Sequence, residues 1–189
     1  MGRKVLMIKI IWTTLDNFIE TWRNSPYLWT TEIDIQADIA CRLRQAFYEN
    51  QQRNLEASYS HVREGKIQAY SRVCCEWQTN YIHPKDGKAC FAPDIIVYKD
   101  ISDSKQPPDQ DKYTNWPMLW VCEIKHNTED TSAQYREYDK KKMMLLLEQN
   151  QTEYACLLYF DRVKVDKKQI EFKEELNGRL RNYVIRPRI

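Results

Sequence analysis

Met118-Leu119-Trp120-Val121-Cys122-Glu123-Ile124-Lys125 decides the reading of this chain. Five consecutive apolar residues suit a strand buried on both faces, and so a central place in a sheet. The charged residues appear only as that strand leaves the core. Side chains alternate along a strand, so Glu123 and Lys125 share one face while Ile124 enters the opposite layer.

The flanking sequence supplies partners for this strand. Lys99 to Pro117 is polar and contains prolines, which predicts a loop. Before it, Ala89 to Tyr98 reads as a strand whose end, Ile95-Ile96-Val97-Tyr98, directly follows Pro93-Asp94. Arg72 to Ile82 alternates as a further strand, with His83-Pro84-Lys85-Asp86-Gly87 as the turn between the two. Thr31 to about Asn54 predicts a helix. Thr31 is its N-cap, Asp34 completes a capping box, and Ile35, Ile39, Leu43 and Phe47 form one apolar stripe. Thr13 to Trp22 predicts a short helix ended at Asn24-Ser25-Pro26. Toward the C-terminus, Thr131 to Gln149 is helical in character and Tyr154 to Phe160 is a strand. A strand near Ile170 to Phe172 and a short helix stopped by Asn177-Gly178 are expected beyond it. The order helix, three strands, helix, strand predicts a single α/β domain over 1–189, with a central mixed β-sheet flanked by helices and a core at about 31–160.

Composition narrows the class. The chain has 189 residues, 42% of them hydrophobic, enough for one good core. Basic residues number 29 against 27 acidic ones, so any basic surface must be local. Two stretches qualify, Lys140-Lys141-Lys142 and the tail carrying Arg179, Arg181, Arg186 and Arg188; a solvated face is the competing reading for both. The six cysteines form no C-x-x-C pair and read as buried thiols. Lys4 to Trp12 is apolar but short and broken by Lys9, neither a spanning helix nor a signal peptide. A reducing, cytoplasmic setting with no membrane partner is the expectation.

Acid-x-Lys occurs seven times in the chain, and only Glu123-Ile124-Lys125 follows a continuous apolar run. Pro-Asp occurs twice, and only Pro93-Asp94 leads straight into a strand. Taken with the element order, these residues resemble the PD-(D/E)xK nuclease superfamily, whose fold is called restriction-endonuclease-like. The resemblance covers roughly residues 31–160. It implies a metal-dependent nuclease that hydrolyses phosphodiester bonds, foremost a DNA endonuclease of restriction, repair or mobile-element type.

In that reading Asp94, Glu123 and the Ile124 backbone carbonyl hold Mg2+, with Mn2+ able to substitute, since paired carboxylates make a hard oxygen site. Lys125 orients the attacking water and offsets transition-state charge. The competing reading of the three residues is an ion pair at a strand end. The family usually adds an acid from the first helix. Glu32 is the candidate, able to bind the metal directly or through water: on a helical wheel it falls about 20° from both Ile39 and Leu43, whereas Asp34 falls on the opposite side and Asp38 off to one flank. First-turn helix-dipole stabilisation is the competing reading for Glu32. Glu76 is a second acid with a plain surface alternative.

Gln134 and Tyr138 resemble the Q-x-x-x-Y element of helicase-linked exonucleases in the superfamily and are candidate substrate contacts, as are Lys141, Arg179 and Arg181. Thr131 to Gln134 also reads as a capping box. The iron-sulfur cluster of certain relatives is not expected, because no cysteine follows Cys156. His61, His83 and His126 lack metal-ligand spacing. The partner is nucleic acid, with DNA favoured, and a homodimer is admitted because cutting two strands takes two sites. A nucleic-acid-binding module without activity and an RNA-acting nuclease are the alternatives.

Overall fold

The apolar run that opens at Met118 forms a strand reaching His126, third in the order of a six-stranded sheet. The computed structural model describes residues 2–50, 57–63, 66–75, 79–81, 89–99, 117–126, 133–162 and 169–188. In chain order these contain α1 (Arg3–Asn24), a 3-10 turn (Pro26–Leu28), α2 (Glu32–Glu49), β1 (Ala57–Arg63), β2 (Lys66–Ser71), β3 (Val73–Cys75), β4 (Thr79–Tyr81), β5 (Ala89–Phe91), β6 (Ile95–Tyr98), β7 (Met118–His126), α3 (Ala133–Glu148), β8 (Thr152–Phe160), β9 (Ile170–Glu175) and β10 (Leu180–Ile185).

The main sheet runs β3-β6-β7-β8-β10-β9, while β1 pairs with β2 and β4 with β5 in two small ribbons. It is mixed: β7 is antiparallel to β6 but parallel to β8, and β8 is parallel to β10. Parallel neighbours need a crossover, and α3 provides it between β7 and β8. Its Met143, Leu146 and Leu147 bury one face of the sheet with Val121, Leu157 and Tyr159. On the other face α1 and α2 cover Trp120, Cys122, Ile124, Leu158 and Phe160. The result is an α/β domain with a helical layer on each side of the sheet.

The structure of α2 follows its sequence closely. Thr31 Oγ1 accepts from the Asp34 N–H and the Asp34 carboxylate accepts from the Thr31 N–H, so two otherwise orphaned donors at the helix start are satisfied. Ile35, Ile39, Leu43 and Phe47 are fully buried, each contributing about 1.5–3 kcal/mol of hydrophobic stabilisation. The helix ends at Glu49; the expected extension toward Asn54 lies outside the described residues.

Other elements depart from expectation. The helix expected at 13–22 is one part of a longer α1 that absorbs the apolar N-terminal segment. Met7, Ile11, Leu15, Phe18 and Trp22 recur at helical spacing and are buried, while Lys9 projects from the exposed side. No described helix is long and apolar enough to cross a membrane. The strand expected over 72–82 is two pieces, β3 and β4; Glu76 and the turn at 83–87 lie outside the described residues. The strand expected over 89–98 is also divided, because Pro93 has no N–H to give a ladder, and the new segment starts at Ile95, directly after Asp94.

The short helix expected before Asn177-Gly178 is not there. Leu176, Asn177 and Gly178 all take positive φ and form a turn between antiparallel strands β9 and β10. Val184 and Ile185, whose branched side chains suit a pleat, are buried in β10. Gly178, at φ 78°, is the position where a side chain would be strained.

Arg179 follows that turn, and its guanidinium donates to the carbonyls of Leu147, Thr152 and Glu153 at 3.0–3.3 Å. It ties the C-terminal hairpin to the junction of α3 and β8. Arg179→Ala is therefore expected to lose roughly 1–3 kcal/mol of stability in urea unfolding, the usual cost of orphaning partly buried acceptors. An unchanged midpoint would remove this bracing role.

Candidate active site

Strand pairing brings the acids together. Ile95 of β6 lies opposite Cys122 of β7, so the next pair along the ladder is Asp94 and Glu123. The Ile124 N–H donates to Asp94 Oδ2 at 2.5 Å, and Gln36 Nε2 of α2 donates to the Asp94 carbonyl at 2.6 Å. Asp94 is thus held from both sides, by β7 through its side chain and by α2 through its backbone.

Lys125 and Glu123 emerge on the same side of β7, as their spacing requires. Lys125 Nζ stands 3.2 Å from Glu123 Oε1 and 3.3 Å from Glu32 Oε1. The structure therefore brings Asp94, Glu123, Lys125 and Glu32 into one cluster, drawn from the first turn of α2, the entry to β6 and the end of β7. Gln36, one helical turn after Glu32 and buried, is a supporting residue that the reading of α2 did not single out.

The charges in this cluster are strongly perturbed. Burial pushes the Asp94 carboxyl up to about 8, helped by the neighbouring Glu123 charge and opposed by the Ile124 N–H and Lys125. Burial also raises Glu123, against the pull of Lys125 and Lys142, while Asp139 adds to the rise. Burial on its own would lower Lys125, but the carboxylates of Glu123, Glu32 and Asp94 outweigh it and hold the ammonium charged. Glu123 Oε2 is buried with no hydrogen-bond partner.

Helix α3 adds groups beside Glu123. Asp139 is buried; its Oδ1 accepts from Lys142 Nζ at 3.2 Å and its Oδ2 has no partner. Of the three adjacent lysines, Lys142 acts on Glu123, Lys140 pairs with Glu175 at 2.8 Å, and Lys141 points outward. Tyr138 is exposed, with Lys142 Nζ 4.6 Å from its ring centre. The side chain of Gln134 lies outside the described residues, as do Thr131 and its cap. His126 is buried against Trp22, and burial followed by Arg162 lowers its pKa.

The tail arginines are engaged within the protein. Arg179 braces backbone carbonyls, and Arg181 pairs with Glu174 and stacks over Trp12. Register sets Arg181 level with Cys156 and Cys122, short of the level of Lys125. Arg186 pairs with Asp161 and Glu171, and Arg188 with Glu20. Cys122 and Cys156 are buried thiols facing each other across β7 and β8, but Cys41 is exposed and Cys74 and Cys75 are partly so.

Among the described residues, no three His, Cys, Asp or Glu side chains gather closely enough to hold a metal ion by themselves. The ammonium of Lys125 neutralises Glu32 and Glu123 instead. Mg2+, however, commonly takes only one or two carboxylates and keeps several waters. Two neighbouring carboxyls, both raised by burial, with one oxygen of Glu123 lacking a partner, fit that requirement. Comparison with known proteins adds nothing further: no protein-family model, curated protein or solved structure matches this chain.

Because the fold favours protonated Asp94, the metal-free protein holds an extra proton from the ordinary aspartate range up to about 8, and its stability falls as pH rises through that window. Asp94→Asn removes the titration and keeps an oxygen for the Ile124 N–H. The variant is expected to melt several degrees higher than wild type at pH 8 without metal, and to show a flatter melting profile between pH 5 and 8. Superimposable profiles would mean that Asp94 does not carry this cost.

Proposed function

We propose that this chain is a metal-dependent nuclease with a restriction-endonuclease-like core, which hydrolyses phosphodiester bonds in DNA. The observation that carries the reading is the meeting of Asp94, Glu123, Lys125 and Glu32 from three separate elements, with both core carboxyls raised by burial. A structural ion pair needs one acid for one lysine. Here one ammonium faces two carboxylates, and a third, costly carboxyl is buried beside them.

Asp94 and Glu123 would hold Mg2+ or Mn2+, with the Ile124 carbonyl and waters completing the shell. Such an ion lowers the pKa of an attacking water and neutralises charge on phosphate oxygens. Lys125 would hydrogen-bond the water and orient its oxygen toward phosphorus, and its charge would offset the phosphorane-like negative charge beside it as the opposite P–O bond breaks. Glu32 fixes the direction of the Lys125 ammonium. Gln36 and the Ile124 N–H fix Asp94, so the acids are set in place before substrate arrives.

The roles separate by mutation. Asp94→Ala and Glu123→Ala are expected to lose cleavage and metal affinity together while remaining folded. Lys125→Ala should keep metal and DNA binding but cut more slowly by roughly two to three orders of magnitude, as for loss of a transition-state charge partner. Lys173→Ala, in the exposed Glu171-Phe172-Lys173 of β9, should cut as wild type. Supercoiled, linear, single-stranded and branched DNA with Mg2+ or Mn2+ are the substrates to use. Wild-type cleavage by Lys125→Ala, or no cleavage of any substrate by the wild type, would remove the proposal.

A further inference from the structure

We propose that the groove between the Pro26–Leu28 turn and the Pro187-Arg188 segment seats an unstacked nucleobase of a single DNA strand whose phosphate lies at the Glu123–Lys125 site. This rests on the nuclease reading and specifies the form of its substrate.

The groove has a volume of about 460 Å³ and is walled by Pro26, Tyr27, Leu28 and Pro187, with Asn24 and Arg188 at its border. Tyr27 and Leu28 are 72% and 70% exposed, two adjacent large apolar side chains given to solvent. The turn carrying them is not loose. Arg162 of the segment after β8 donates through one guanidinium nitrogen to the carbonyls of Pro26 and Trp29. Its guanidinium also lies 5.4 Å from the centre of the Tyr27 ring. An exposed aromatic ring backed by a cation on a braced turn is a preformed stacking surface, and every base offers it a π-face.

Charge and position select a nucleic acid strand as the occupant. Arg188 lines the groove and Arg162 backs its Tyr27 wall, while Glu20 bridges Arg188 to Arg23. Arg186 nearby is matched by Asp161 and Glu171. The groove lies past the C-terminal ends of β8 and β10, and Lys125 lies near the same end of β7. These three strands are neighbours in the sheet. Two inter-strand spacings, about 10 Å across the sheet, separate β7 from β10, so a strand of several nucleotides can reach from the site to the groove beyond. Leu28 is also only four residues before Glu32. A duplex keeps its bases paired and cannot offer one to Tyr27, whereas a single-stranded or frayed segment can. Walls with few fixed donors would accept any base identity.

The test uses fluorescein-labelled oligothymidylate and a duplex of equal length, with the full chain in EDTA so that binding is read without cleavage. Wild type is expected to bind the single strand more tightly, and Tyr27→Ala to weaken that binding roughly tenfold while leaving duplex affinity unchanged. Tyr27→Phe should restore it. Tyr48→Ala, at another exposed tyrosine at the far end of α2, should bind as wild type. A 2-aminopurine in the strand should be quenched by wild type and not by Tyr27→Ala. Equal affinity of wild type and Tyr27→Ala, preference for the duplex, or preference for oligouridylate would overturn the assignment. So would a concentration-dependent dimer that Tyr27→Ala dissolves, which would make the groove a seat for a second copy. If Tyr27-dependent binding persists but no DNA is cut with Mg2+, the groove stands and the nuclease reading falls; cutting without Tyr27 dependence gives the reverse.

Discussion

Two carboxyl groups buried side by side at the end of β7 set the terms for everything around them. Ionised carboxylates in low-dielectric surroundings repel each other and lose their hydration, so the fold has to supply compensation. It does so with the Ile124 N–H on Asp94 and the Lys125 ammonium on Glu123. Lys125 carries more charge around it than Glu123 alone, which is why the position of Glu32 matters. That position depends on the start of α2, which the Thr31–Asp34 capping box fixes. The depth of α2 depends in turn on its apolar stripe, shared between the sheet and α1. The cost borne at the cluster is thus met by elements that have no chemical role of their own.

Much of this cluster was legible in the sequence because the signals were geometric. Strand alternation put Glu123 and Lys125 on one face, and the apolar run before them separated this acid-x-Lys from six others. The helical wheel of α2 selected Glu32 over Asp34 and Asp38, and Glu32 is the α2 acid within 3.3 Å of Lys125. Asp34 caps the helix and Asp38 pairs with Arg42. Period alone was enough at these positions, since each element is regular and strongly amphipathic.

Where the reading missed, tertiary context or interrupted pattern was responsible. Lys4 and Lys9 disguised the first half of α1, whose apolar face is continuous once the helix is drawn from residue 3. The β1–β2 ribbon went unread because Ala57 to Ser71 mixes polar and aromatic residues without a clear face. In the tail, Asn177-Gly178 is equally good as a helix stop and as a turn, and the pairing of β10 with β8 decided between them. Asp139 was recoverable. With Met143, Leu146 and Leu147 it continues one stripe of α3, the same pattern that sets Glu32 in line with the buried stripe of α2.

The two margins of the main sheet bear on how copies of this chain can meet. At one margin β3 is only three residues long. At the other, β9 shows Glu171, Phe172, Lys173 and Glu174 to solvent, a margin dominated by charge. Short or charged edges resist recruitment of a further strand, and with it the runaway stacking that leads to insoluble aggregates. A symmetric pair of molecules would then be built away from these two edges, on helices, loops or the two small ribbons, with each six-stranded sheet left unextended.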